Sequence, residues 1–174
     1  MKLNKIMLLV SLTLGAASFA HAADEGHGTV TFTGSIIDAP CSITAETSDQ
    51  TVRLGQVSSV ALLDGGKSTP QAFSIDLENC NVELLSEVTT TFTGGESAVQ
   101  PGLLGIVGTA SGASIAITDS SGELLPLGQA SAAHALQEGN NTLLFSAYLQ
   151  GDGDSTTVVP GEFQSVADFT LAYN

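Results

Sequence analysis

Two cysteines, Cys41 and Cys80, are the first side chains in this sequence that could do chemistry. An even number of cysteines in an exported chain favours a disulfide, and closing a loop of about 40 residues would stabilise the fold by ~4 kcal/mol in the chain-entropy model. The alternative is a pair of free thiols or metal ligands, but no histidine lies nearby to support it. We therefore predict a disulfide between Cys41 and Cys80.

Catalytic chemistry has weak support in the other reactive side chains. His27 and His134 are the histidines beyond residue 22, and both are interpreted as surface residues. The sequence has no Gly-x-Ser-x-Gly nucleophile elbow. The run Gly151-Asp-Gly-Asp154 lacks the remaining ligands and the closing glutamate of a calcium loop, so it favours a hairpin turn. We expect a protein that is not an enzyme and that has no metal site and no cofactor.

Residues 1–22 have the pattern of an export signal. Lys2 and Lys5 precede the uncharged, mostly apolar run 6–19, and Ala20-His-Ala22 supplies small residues for cleavage. The apolar run is too short to span a bilayer, so membrane insertion is not expected.

Beyond residue 22 the chain has two basic residues and eighteen carboxylates, which gives a net charge of about −16. Such a charge repels nucleic acid and anionic membranes, and nucleic-acid partners are not expected.

Short alternating or apolar runs separated by turn residues predict an all-β sandwich. The predicted strands are 29–37, 51–54, 72–77, 87–92, 114–118, 142–149 and 162–173. Gly139-Asn-Asn141 is interpreted as a turn, and one helical turn is placed near residues 57–63. No linker divides the chain, so one domain is expected after the signal.

The last strand is predicted to bury one face and to leave its edge uncovered. Small and apolar residues recur at every second position from 163 to 173, while the other parity is mostly polar apart from Val166 and Ala172. The apolar parity consists of Phe163, Ser165, Ala167, Phe169, Leu171 and Tyr173. Because the sequence ends one residue later, we expect an uncovered edge, which is a docking site for another strand.

The segment before Cys41 has the same alternation. Val30, Phe32, Gly34 and Ile36 share one parity, and hydroxyl residues occupy the positions between them. Glycines at 28 and 34 weaken an isolated strand and suit a close backbone approach. From periodicity alone this segment is either the first strand of the sandwich or an arm that binds elsewhere.

Four segments, in this order, resemble the structural pilins of chaperone–usher fimbriae, especially the major rod subunits of type 1 and pyelonephritis-associated pili. They are residues 28–41, residues 48–56, the pair Asn79-Cys80, and the terminal strand, which has a glycine fourteenth from the end (Gly161) and a penultimate tyrosine. The resemblance covers residues 28–174.

The resemblance implies an immunoglobulin-like sandwich that lacks its seventh strand and is completed by a donor strand. It divides the chain into a signal peptide (1–22), a donor-strand extension (23–36) and a pilin domain (37–174). The implied donor residues are Gly28, Val30, Phe32 and Gly34; which glycine enters a narrow site stays open. The implied acceptor-groove and chaperone-recognition residues are Gly161, Phe163, Phe169, Leu171, Tyr173 and Asn174.

The function implied by the resemblance is that of a structural subunit of surface fibres used in bacterial adhesion. The expected partners are neighbouring copies of the same chain, a periplasmic chaperone and an outer-membrane usher. The expected location is the fimbrium on a Gram-negative cell surface, reached through the periplasm. The alternatives are a minor adaptor or terminator subunit and a receptor-binding pilin.

Overall fold

A computed structural model of the chain describes residues 27–83, 85–153 and 156–174. The predicted signal peptide and residues 23–26 of the predicted arm lie outside the described residues. The chain divides into two units, Met1–Ile36 and Ile37–Asn174, and each is considered by itself.

The described part of the first unit, residues 27–36, contains no helix or strand. Its apolar side chains are exposed, with 73% of Val30 and 89% of Phe32 accessible to solvent. The predicted strand at 29–37 is therefore wrong for this chain on its own. Alternation determines which side chains share a face, but a strand also needs a partner for its backbone hydrogen bonds.

The second unit, Ile37–Asn174, is built from short antiparallel strands. The strands among its described residues are β1 (Ser42–Ile43), β2 (Gln71–Cys80), β3 (Glu87–Gly94), β4 (Leu104–Gly105), β5 (Val107–Gly108), β6 (Ala113–Asp119), β7 (His134–Ala135), β8 (Gly139–Gly151), β9 (Phe163–Gln164) and β10 (Ala167–Tyr173). A one-turn helix, α1, covers Ala45–Ser48, and a 3₁₀ segment covers Ser59–Gly65 close to the predicted helical turn.

The strands form two facing sheets and a small ribbon. One sheet has the order β1-β2-β8-β6-β4, the second has the order β10-β3-β7, and β5 pairs with β9. The predicted strands at 72–77, 87–92, 114–118 and 142–149 fall inside β2, β3, β6 and β8. These confirmed strands are the long ones, in which side chains with strong β preference are most numerous.

Three sequence predictions differ from the structure. Residues 51–54 form no strand, and the predicted strand at 162–173 is divided into β9 and β10 by Ser165 and Val166. Gly139-Asn-Asn141 begins β8 and is not a turn. The side-chain amide of Asn141 instead exchanges two 2.8 Å hydrogen bonds with the backbone of Gln137, so its turn-forming groups are satisfied next to the strand.

The main core lies between the two sheets. β2 and β8 contribute Ile75 and Phe145, and β3 contributes Phe92. Phe73, Phe92 and Phe145 form a cluster with ring centroids 5.1–6.1 Å apart.

The Cys41–Cys80 disulfide is present, which confirms the prediction, and both cysteines are buried in this core. It joins the entry to β1 to the end of β2.

Candidate functional site: a groove beside the last strand

Strand β10 has one half-buried row and one exposed row of side chains. Ala167, Phe169, Leu171 and Tyr173 are half-buried and pack against the main core or the neighbouring apolar cluster, while Asp168, Thr170 and Ala172 are exposed. The predicted parity is therefore confirmed. A row that faces the core of a complete sandwich would normally be buried, so its partial exposure indicates that cover is missing on that side.

The edge of β10 away from β3 carries unused backbone groups. Among the described residues β10 pairs only with β3, in the register Phe169↔Phe92 and Tyr173↔Val88. Asn174 and Glu87 exchange both backbone hydrogen bonds, at 2.9 and 3.0 Å. Antiparallel pairs alternate, so the even residues of β10 bond to β3. The N–H and C=O groups of Ala167, Phe169, Leu171 and Tyr173 therefore point away from β3.

An apolar groove lies beside β9 and the first three residues of β10, 167–169, with a cavity volume of about 1170 Å³. Residues 163–169 form one wall, and the strandless segment 47–57 lines the groove as well. Phe73, Phe92, Ile115 and other core side chains also line it. An open, apolar channel beside a free strand edge is the shape that an added strand requires.

Gly161 lies in the lining of the groove and allows two chain segments to approach closely. A Cβ atom at Gly161 would lie 2.5 Å from Oγ1 of Thr109 and 2.6 Å from the backbone nitrogen of Ala110. Those two residues donate backbone hydrogen bonds of 2.9 and 3.1 Å to the carbonyl of Glu162. Glycine is therefore required at position 161 because a side chain would clash there, which the sequence did not show.

The end of β10 is fixed by the backbone of Asn174. Its carbonyl oxygen accepts hydrogen bonds of 3.0 Å from the N–H groups of Ser86 and Glu87. Partial burial raises the pKa of the Tyr173 hydroxyl above its usual value, so this side chain is neutral at physiological pH.

The predicted acceptor residues occupy different parts of this site. Gly161, Phe163 and Phe169 line the groove, whereas Leu171 and Tyr173 continue the same face of β10 and contact the main core. The predicted donor residues Gly28, Val30, Phe32 and Gly34 lie in the other unit of the chain and are exposed.

Sequence reasoning missed the rest of the groove lining. Within residues 47–57, the sequence predicted a strand at 51–54 and a family segment at 48–56, but no part in the groove. Phe73 and Phe92 were predicted only as strand residues. Both phenylalanines lie in confirmed strands, so their inward parity was a usable signal. No local signal places residues 47–57 beside β10.

The described ranges hold no group of three or more histidine, cysteine or acidic side chains close enough to share a metal ion. None of the helices in the same ranges has the length and apolar character needed to cross a bilayer.

A family model described as "Fimbrial protein" matches residues 30–174. The chain belongs to this family. It is 64% identical over 173 residues to the fimbria A protein of Serratia marcescens, with 99% of each chain covered. It is 54% identical over 175 residues to the major MR/P fimbria protein of Proteus mirabilis, again with 99% of each covered.

Solved structures of pilus subunits share the fold. The P pilus rod subunit PapA matches with a TM-score of 0.70 and 28% identity, covering 78% of this chain and 100% of PapA. A subunit in a chaperone–usher pilus structure matches with a TM-score of 0.78 and 30% identity, covering 89% of this chain and 100% of its own. The fold of this fimbrial protein is accordingly an incomplete immunoglobulin-like sandwich.

Proposed function

We propose that this protein is the structural subunit of an adhesive fimbria and that it polymerises by donor-strand exchange. In this proposal, residues 23–36 of one copy enter the groove of a neighbouring copy and pair with the free edge of β10. In strand addition of this kind, main-chain hydrogen bonds supply affinity and alternate side chains supply specificity.

The observation that carries the proposal is the unpaired edge of β10 beside an open apolar groove. Four residues of β10 direct their backbone groups away from β3, and their side chains are half-buried. Two of the four, Ala167 and Phe169, line the groove. An edge of this kind is normally protected in a soluble protein, so leaving it open indicates a partner strand. Donor-strand exchange is the reaction that would supply one.

The arm has the length and pattern to be that strand. Residues 28–34 number seven, as do those of β10, and span ~20 Å when extended. Val30 and Phe32 share a parity and are exposed in the chain, so both gain burial when they enter a groove. Gly28 and Gly34 have the same parity and would fit narrow parts of it.

A head-to-tail contact of this type does not close on itself, so it produces a filament. The unfinished groove also needs cover before assembly, and we assign that role to a periplasmic chaperone, followed by transfer at an outer-membrane usher. The subunit then reaches the fimbrium on the surface of a Gram-negative cell and has a structural rather than an enzymatic role. A relative that is 54% identical is named as a major fimbrial protein, which favours the rod position over a minor adaptor or terminator.

The test is assembly of subunits with an altered arm in cells that carry the complete assembly system. Deletion of residues 23–34, or the substitution Phe32→Asp, should abolish the SDS-resistant ladder of polymers while the subunit still accumulates in the periplasm. The matched control is Val60→Asp, because Val60 is similarly exposed and lies outside the groove. Persistence of the ladder in the deletion variant would overturn the proposal.

A further inference from the structure

The outer face of the β10–β3 sheet carries hydroxyl groups around a carboxylate. The outward residues of β10 lie directly opposite outward residues of β3 in the antiparallel register. These pairs are Asp168↔Thr93, Thr170↔Thr91 and Ala172↔Thr89. Asp168 is exposed, and it is the only charged residue in these three pairs.

The arm carries a matching row. Its inward parity includes Val30, Phe32, Gly34 and Ile36. Its outward parity is Thr29, Thr31, Thr33 and Ser35, every one a hydroxyl residue. If the arm pairs with β10, this row continues the threonine-rich outer face by one strand. The hydroxyl face would then be shared between two copies of the chain.

The geometry of the edge brings the two outward rows close together. The odd residues of β10 offer hydrogen bonds to an incoming strand, so the even residues make the non-hydrogen-bonded pairs with it in an antiparallel arrangement. Every strand pairing in the described ranges is antiparallel. Non-hydrogen-bonded pairs have their Cα atoms only ~4.5 Å apart, and their side chains interact most strongly.

We propose that this outward row helps to set the register in which the arm of one subunit pairs with β10 of its neighbour, a contact called the subunit joint below. It does so in addition to the side chains that enter the groove. A threonine of the incoming arm lies opposite Asp168 and donates a hydrogen bond to its carboxylate, whereas an acidic residue at that place is repelled. A slip of one residue would place hydroxyls in the groove. A slip of two keeps the faces and changes which residue meets Asp168. This inference rests on the proposed donor-strand exchange.

The experiment uses fibres of the full-length chain and measures their dissociation rate in hot SDS. Thr29→Glu, Thr31→Glu and Thr33→Glu are each made with and without Asp168→Lys in every copy. One of the three should dissociate about two- to five-fold faster than wild type, and Asp168→Lys should restore that one specifically, which identifies the residue opposite Asp168. Asp168→Asn replaces Asp168→Lys if the lysine variant fails to assemble, and it should remove the repulsion.

Two outcomes would overturn the inference. In the first, all three glutamate variants dissociate at the wild-type rate; in the second, their defects are the same with every residue at position 168. The parallel variant Phe32→Asp separates the two proposals. If Phe32→Asp blocks assembly while no coupling to position 168 is found, the donor-strand proposal is retained and only the inference about the outward row is wrong. If it assembles normally, the donor strand itself is wrong.

Discussion

Two phenylalanines that face each other across β3 and β10 should respond differently to truncation. Phe92 is 4% exposed, and its ring contacts those of Phe73 and Phe145. Phe169 lies directly opposite in the register but is only half-buried, because it lines the open groove. Removing a fully buried phenylalanine side chain costs ~3–5 kcal/mol. The two substitutions to alanine therefore separate the stability of the subunit from that of the joint.

Phe92→Ala should lower the free energy of unfolding of the lone subunit by the full ~3–5 kcal/mol. Phe169→Ala should lower it by about two thirds as much, ~2–3.3 kcal/mol, since no more than about a third of the Phe169 side chain is exposed in the lone subunit. The remaining ~1–1.7 kcal/mol should appear when the arm covers the groove. At 1.4 kcal/mol per factor of ten, that remainder weakens the joint by roughly 5- to 16-fold.

The assay compares urea unfolding of the full-length subunit, followed by far-ultraviolet circular dichroism, with the dissociation of fibres in SDS. Phe92→Ala is the control for general destabilisation. The reasoning is refuted if Phe169→Ala destabilises the lone subunit as much as Phe92→Ala does and leaves fibre dissociation unchanged. That result would mean that Phe169 is already fully covered and that the groove does not receive the arm.

Further substitutions test three individual features. Replacing Cys41 and Cys80 by serine should cost ~4 kcal/mol, measured as a lower urea midpoint than that of the oxidised wild type. Gly161→Ala should destabilise the subunit because its Cβ would meet backbone at 2.6 Å, whereas Gly95→Ala, with open space around it, should be nearly neutral. Burial raises the pKa of Tyr173, so its contribution is constant at neutral pH and is lost as pH rises through the folded-state pKa. Stability should therefore fall above pH ~10, and Tyr173→Phe should reduce this fall.

The inward face of a strand can be predicted from sequence where the chain alternates, because a period of two is a local property. The inward row of β10 is an example, from Ala167 to Tyr173. The status of its edge is not local, since it depends on which segment lies beside it. Residues 47–57 line that side of the groove without forming a strand, and no pattern in their sequence indicates this position.

Two other features show where sequence patterns stop being sufficient. The position of Gly161 was recognisable from a family motif, but the reason for it is a contact with Thr109 and Ala110, some 50 residues earlier in the chain. The alternation at 29–37 predicts two faces, yet the segment forms no strand in this chain and both parities are exposed. Alternation describes a strand only when a partner strand is present, and the proposed partner belongs to another copy.

The composition of the arm determines which of its interactions supply affinity in the joint and which supply selectivity. Between its two glycines the inward row has two large side chains, Val30 and Phe32, and Ile36 follows the second glycine. Burying these two contributes ~1.5–3 kcal/mol each. Each main-chain hydrogen bond along β10 adds ~1 kcal/mol but is indifferent to sequence. Selectivity among arms must therefore come from the few large inward side chains, the space that the glycines leave, and the outward row beside Asp168. Because the arm has so few large inward side chains, all of these positions are needed to exclude a slipped register.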